Sequence, residues 1–281
     1  MHIQRGAWAE INLDAVAHNV QMAKANLKPT TKLCAVVKAD AYGHGAVRVA
    51  QEAARNGADF FAVALLQEGV KLREAGIETP ILVLGSMLPE VAEICVRYDI
   101  SHAVFDEERL YALNAAALKL HTKAKIHIKI DTGMHRIGVH VRDAGRFAKL
   151  AASLPGIYIE GVFSHFATAD ADDKQYAAYQ FERFQEALRL IEAEGVHIPI
   201  RHIANSAALT ELQEYQLDMV RQGITLYGLH PAHMIDCYKD FEPVMTVKTQ
   251  VAFVKTLPPG ETIGYGRTYT LTRPSVIATV P

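Results

Sequence analysis

The sequence predicts an α/β fold: a (β/α)8 barrel of the TIM type, followed by the start of a β domain. Short apolar runs recur at Leu33–Val37, Phe60–Leu65, Ile81–Leu84, His102–Phe105, Ile126–Ile130, Ile157–Phe163, Ile200–Ala204 and Met219–Gly223, with helical or turn segments between them. That alternation is what such a barrel requires. A doubly wound sheet would alternate in the same way, but the early Gly-x-Gly-x-x-Gly that marks many of them is absent. After Pro231 the pattern changes to a period of two, which marks a second domain. At 281 residues the chain has room for a barrel and part of that domain.

Residues 6–12 alternate, with Ala7, Ala9 and Ile11 on one side and Trp8, Glu10 and Asn12 on the other, as in an exposed or edge strand. Asp14 can cap a helix reaching about Asn26, with Val16, Val20 and Ala23 on its buried face. The clearest later helix is Gln175–Ala193, where Tyr176, Tyr179, Phe184, Leu188 and Ile191 keep helical spacing. Met245, Val247, Val251 and Phe253 then alternate with polar residues as a half-buried strand. Pro258-Pro259-Gly260 is a turn, Thr262–Leu271 a second strand, and Pro274 precedes a third segment, Ser275–Val280. The expected organisation is an N-terminal strand (1–12) packing with the β domain, a barrel (13–240) and a partial β domain (241–281). Because the chain ends within a strand, that domain is expected to continue beyond Pro281. Its last segment is expected to lack a partner, making 240–281 the least ordered or the most aggregation-prone part unless the N-terminal strand or a second subunit covers the edge.

Half the residues are apolar and the formal charge is −2, which gives no footprint for nucleic acid or a membrane surface. The N-terminus lacks an apolar stretch of signal-peptide length, and no later run approaches a membrane span. Cys34, Cys95 and Cys237 are far apart, which favours reduced thiols in a cytoplasm. The thirteen histidines show no metal-ligand spacing, so no metal is assigned.

In a barrel the working residues lie where strands end at their carboxyl side. Lys38 and Tyr42 follow the first strand, Lys129 and Arg136 bracket KIDTGMHR after the fifth, and His165 follows the sixth. Asn205 and Ser206 follow the seventh, and Arg221, Gly223 and Ile224 end the eighth. Burial would lower the pKa of Lys38 and make it a nucleophile able to form a Schiff base, unless it snorkels to water. Ser206 and Gly223 are placed to hold a phosphate in the last two loops, although Asn205-Ser206 also reads as a helix cap. Arg221 carries donors only; a strand-end arginine paired to a carboxylate is the alternative. Tyr42 could simply be a rim residue, and Tyr265 a residue packed in a β sheet.

VVKADAYGHG, KIDTGMHR, GVFSHFATAD, RHIANSAA and ETIGYGRTYT, in this order, make residues 3–281 resemble the alanine racemases. The resemblance implies pyridoxal 5'-phosphate (PLP) carried on Lys38 as an aldimine and interconversion of L- and D-alanine, supplying D-alanine for peptidoglycan in the cytoplasm. It implies a cofactor-binding set of Lys38, Tyr42, His165, Asn205, Ser206, Arg221, Gly223 and Ile224. Ser206 and the Gly223-Ile224 backbone would hold the phosphate, with Tyr42 beside it. Arg221, supported by His202, would face the pyridine nitrogen and leave it unprotonated. Lys38 and Tyr265 would be the two bases, with Arg136 and His165 acting on Tyr265 and Arg136 also binding substrate. Lys129 would be a carbamate, or a bare lysine paired to Asp131; His135 replaces a more usual glycine. A head-to-tail homodimer would bring Tyr265 into the partner's barrel.

Two other readings differ in kind. A PLP-dependent decarboxylase of the same architecture would lack the SHFATAD and IGYGRTYT pair, and an arginine at the pyridine is unexpected for it. A non-catalytic PLP carrier would end after the eighth strand, whereas this chain continues to Tyr265.

Overall fold

A computed structural model describes residues 6–231 and 236–281. Two compact units divide the chain: Leu13–Val244, and residues 6–12 together with 245–281.

The larger unit is a parallel barrel. β2 (Lys32–Val36), β3 (Phe60–Val63), β4 (Ile81–Val83), β5 (Ser101–Val104) and β6 (Ala124–Asp131) are followed by β8 (Ile157–Phe163), β9 (Ile200–His202) and β10 (Met219–Gln222). The sheet runs β10-β2-β3-β4-β5-β6-β8-β9, and the short β7 (Val139–His140) pairs with β6. Asp218 N–H donates to Arg201 O (3.0 Å) and Arg221 N–H to Ala204 O (3.1 Å), which brings β10 alongside β9 and nearly closes the ring. These eight strands are the eight apolar runs of the sequence. They read as unbroken runs because the sheet is covered on both faces, so neither side must be polar.

Inside the ring Cys34, Val36, Phe60, Ala62, Leu82, Ile200 and Met219 form an apolar cluster. Helices cover the outside. In the helix Gln175–Ala193 the buried face is Ala177, Gln180, Phe184, Ala187, Leu188 and Ile191. Tyr176 and Tyr179 lie off that face and are exposed. The run expected to reach Leu65 stops at Val63, because Ala64 and Leu65 turn their N–H groups to Glu68 Oε2 (2.8 and 3.0 Å) and start a helix.

In the smaller unit β1 (Ala7–Ile11) pairs antiparallel with β11 (Met245–Thr249). β12 (Phe253–Leu257) pairs with β15 (Ser275–Thr279), and β13 (Thr262–Ile263) with β14 (Tyr269–Thr270). Three expectations are corrected here. The last segment has a partner, since Phe253–Leu257 supplies a complete ladder for it. The strand from Met245 is not half-buried, with Val247 and Phe253 exposed. Thr262–Leu271 is not one strand, because Gly264 and Gly266 (φ 73° and 70°) fold it into a hairpin around a 3-10 turn.

Candidate active site

The carboxyl rim of the barrel surrounds a cavity of about 640 Å³, and the chain's behaviour after β2 shapes it. Ala39, Asp40, Ala41 and Tyr42 have φ of 51°, 52°, 56° and 52°, so the backbone after Lys38 makes a left-handed helical turn without a glycine. Such a conformation costs roughly 1–2 kcal/mol per residue and persists only where its surroundings enforce it. Glu68 Oε1 accepts from Ala39 N–H (2.6 Å), and Asp40 Oδ1 accepts from Ala46 N–H (3.0 Å) and Lys71 Nζ (3.1 Å). Tyr42 packs edge-on against Tyr227, whose hydroxyl donates to Val36 O (2.8 Å). The turn places Lys38 Nζ 5.7 Å from the Tyr42 ring centre. Burial, then the charge of Arg136, lowers the pKa of Lys38.

Arg221 rises from β10 on the interior side. Its Nη1 donates to His202 Nδ1 (2.6 Å), and its Nη2 to Ser164 O (2.8 Å), Ile203 O (3.0 Å) and His165 Nδ1 (3.1 Å). Every one of these acceptors is neutral. Among the described residues no carboxylate touches this guanidinium, so the alternative of a structural ion pair is not what forms. Burial pushes its pKa down to about 10. Burial and the charge of Arg221 drive His165 and His202 well below the usual histidine value, so both present lone pairs. Phe163 stacks on His202 with centroids 4.9 Å apart and carries the guanidinium over its face at 5.4 Å.

Lys129 is buried on β6, donating to Ile130 O (2.8 Å) and Ser164 Oγ (3.4 Å). Burial, then Arg221, brings its pKa down to about 7. It does not pair with Asp131. That carboxylate instead accepts from the N–H groups of Gly133 and His135 (3.1 and 3.0 Å) and meets His135 Nδ1 at 2.9 Å. His135 stands at φ 53°, the region where a glycine would be unstrained.

After β10, the strand paired with β2, the N–H groups of Gly223 (2.8 Å) and Thr225 (3.4 Å) donate to Ser206 Oγ. A Cβ on Gly223 would lie 3.7 Å from Ser206 Oγ and 3.8 Å from Tyr42 Oη, so the missing side chain leaves a polar cradle between them. Asn205 lines the same cavity, but its Oδ1 is already engaged in capping Ala208 N–H (3.1 Å).

Lys38, Tyr42, Lys129, Arg136, His165, Asn205, Ser206, Arg221, Gly223 and Ile224 all line this one cavity. Tyr265 belongs to the other unit, where its side chain is fully exposed. Sequence reasoning missed Glu68, which clamps the left-handed turn, and Gln180. Gln180 Nε2 donates to His165 O (3.1 Å) while its Oε1 accepts from Ala167 N–H (2.8 Å), fixing the loop that carries His165. A glutamine on the otherwise apolar buried face of this helix was the available signal.

The family model for the alanine racemase N-terminal domain matches residues 11–231, and that for the alanine racemase C-terminal domain matches 244–281. An alanine racemase of Desulfovibrio desulfuricans is 46% identical over 277 residues, covering 99% of this chain and 75% of the relative. The solved alanine racemase of Clostridium difficile 630 aligns with a TM-score of 0.93 at 39% identity, over 100% of this chain and 74% of that one. The Bacillus anthracis alanine racemase, solved with bound L-Ala-P, aligns with a TM-score of 0.91 at 36% identity, over 100% of this chain and 73% of that one. With both domain models matched in order and this level of identity along nearly the whole chain, the protein belongs to the alanine racemase family.

Proposed function

We propose that the chain interconverts L- and D-alanine with PLP held in the barrel cavity, and that the convergence of Lys38, Arg221 and the Ser206–Gly223 cradle on that cavity carries the reading. The residues suit the cofactor. The cradle offers the Ser206 and Tyr42 hydroxyls to a phosphate, with space where a Cβ would stand. When bound, PLP supplies a carbonyl that condenses with an amine and a ring that draws electrons from the adjacent Cα–H.

The remaining work falls to the protein. Lys38, with its lowered pKa, holds and returns a proton at Nζ on one face of the substrate carbon. Tyr265 Oη does the same on the other face, delivered by the second subunit of a head-to-tail homodimer. Arg136 binds the substrate carboxylate and, with His165, acts on that phenol. Arg221 would donate to the ring nitrogen without giving up its proton, which would restrain alternative outcomes and favour reprotonation at Cα. Lys129, partly neutral near pH 7, can attack carbon dioxide through Nζ, forming an N–C bond and releasing a proton to give a carbamate. The expected setting is the cytoplasm; no helix among the described residues is long and apolar enough to cross a membrane.

The test is to load the chain with PLP, reduce it with borohydride and map the pyridoxylated peptide, then follow optical rotation of D-alanine with unreduced enzyme. Label on Lys38 with loss of rotation supports the proposal. Label on Lys129 instead, or rotation that persists in loaded enzyme, contradicts it.

A further inference from the structure

Arg221 is a buried cation with only neutral acceptors around it, yet the hydrogen-bonded chain beginning at His202 ends on a carboxylate. His202 Nε2 meets His127 Nδ1 at 2.9 Å, His127 Nε2 meets Glu160 Oε2 at 3.0 Å, and Ser101 Oγ donates to the same oxygen at 2.5 Å. His127 and His202 are fully buried inside the barrel.

Donor counting allows one arrangement of protons. A guanidinium only donates, so while Arg221 keeps this contact His202 Nδ1 accepts and its proton lies on Nε2. His127 Nδ1 must then accept that proton's hydrogen bond, which puts the His127 proton on Nε2, aimed at Glu160. If His127 were doubly protonated, its Nδ1–H would face the Nε2–H of His202. Both rings are therefore neutral Nε2–H tautomers, and a carboxylate is the matching terminus.

The backbone is adapted to this chain of contacts. Ile126 pairs with Ile159 but His127 pairs with Gly161, so Glu160 is the extra residue of a β-bulge in β8. Bulges re-aim side chains, and this one turns a carboxylate towards His127. Gly161 makes room for it, since a Cβ there would stand 2.5 Å from His127 Nδ1. Burial alone would raise the pKa of Glu160, and the hydrogen bonds from His127 and Ser101 oppose that.

We propose that Glu160 is a positioning residue for Arg221, acting through His127 and His202 to order the lone pair on which the guanidinium rests. The inference rests on the cofactor-facing role proposed for Arg221, but the order of the chain of contacts can be measured without cofactor. The test is nitrogen NMR of histidine-labelled protein at neutral pH, comparing wild type, Glu160→Gln and Glu160→Leu, with racemisation kinetics of the PLP-loaded forms alongside. In wild type both rings are expected as Nε2–H tautomers. Gln keeps an acceptor and should keep both tautomers with activity near wild type. Leu strands the His127 donor, so Nδ1–H forms should appear at His127 and, at the cost of the Arg221–His202 bond, at His202, which Glu160 does not touch. In that variant kcat should fall about tenfold at little-changed KM for alanine.

Wild-type rings found as Nδ1–H or doubly protonated would overturn the proposal whether or not any variant folds. It is equally overturned if Glu160→Leu leaves all four ring nitrogens as in wild type. A correct tautomer pattern in a protein that does not racemise alanine would count against the proposed function and leave the wiring standing.

Discussion

Lys38 and Lys129 are two lysines pressed by the same positive neighbourhood, and each titrates in a way that can be measured. For Lys38, burial is the first cause of the lowered pKa and Arg136 the second. The pH dependence of borohydride-trapped pyridoxylation should therefore have its midpoint below the ordinary lysine value of about 10.4. Arg136→Met should move it upwards without restoring it fully; an unmoved midpoint would show that Arg136 does not act on Lys38. For Lys129 the folded pKa is about 7 against 10.5 in a free lysine. Between those values the unfolded chain binds the extra proton and the native state does not, so stability attributable to this group rises with pH across that window. The full penalty applies below pH 7. In carbon dioxide-free buffer, Lys129→Met should raise stability by a few kcal/mol below about pH 7, with the gain shrinking towards pH 10. Denaturant midpoints across pH measure this, and a gain that grows with pH would contradict the assignment. Charged residues at strand ends pointed to both lysines; which one would be nearly neutral depends on burial and on Arg221, brought near by a strand far away in sequence.

The left-handed turn after β2 is the element that places the nucleophile, and it was the least legible in the sequence. Gly43 and Gly45 announce a tight exit, but in Ala39-Asp40-Ala41-Tyr42 only Asp40 tolerates positive φ more readily than most residues. The conformation is imposed by Glu68 from the next βα unit and by Asp40 capping Ala46, so no local pattern could disclose it. This yields a test of sign. In a right-handed helix an exposed Ala→Gly change costs about 1 kcal/mol. Ala39 is exposed and sits at φ 51°, where glycine is unstrained, so Ala39→Gly should be neutral or stabilising by up to about 1 kcal/mol. A loss of stability comparable to that in an ordinary helix would mean the turn is not left-handed in solution. Glu160 was hidden for a related reason. It lies within the apolar run Ile157–Phe163, where strict alternation says nothing of a bulge that redirects one side chain.

At the scale of the whole molecule, the barrel was legible because parallel strands covered on both faces carry a strong, simple signal. The smaller unit was not, since its strands are short, interrupted by glycine turns and largely exposed, so alternation could not separate buried from open faces. The proposed division of labour puts Lys38, Arg136 and His165 on one unit and Tyr265 on the other. Loss of a general base is worth about 10²–10⁴-fold, so Tyr265→Phe should lower racemisation by that order while leaving PLP loading on Lys38 intact. Whose tyrosine serves which lysine can be settled by mixing. Lys38→Ala and Tyr265→Phe chains should each be inactive alone. If the tyrosine serves the partner's barrel, a mixed dimer pairs the intact Lys38 of one chain with the intact Tyr265 of the other, and its second site lacks both. Random exchange makes about half the dimers mixed, so co-refolded chains should recover about a quarter of wild-type activity. A tyrosine acting within its own chain could never meet an intact Lys38 in such a mixture. No recovery from chains that form mixed dimers would rule out the shared site.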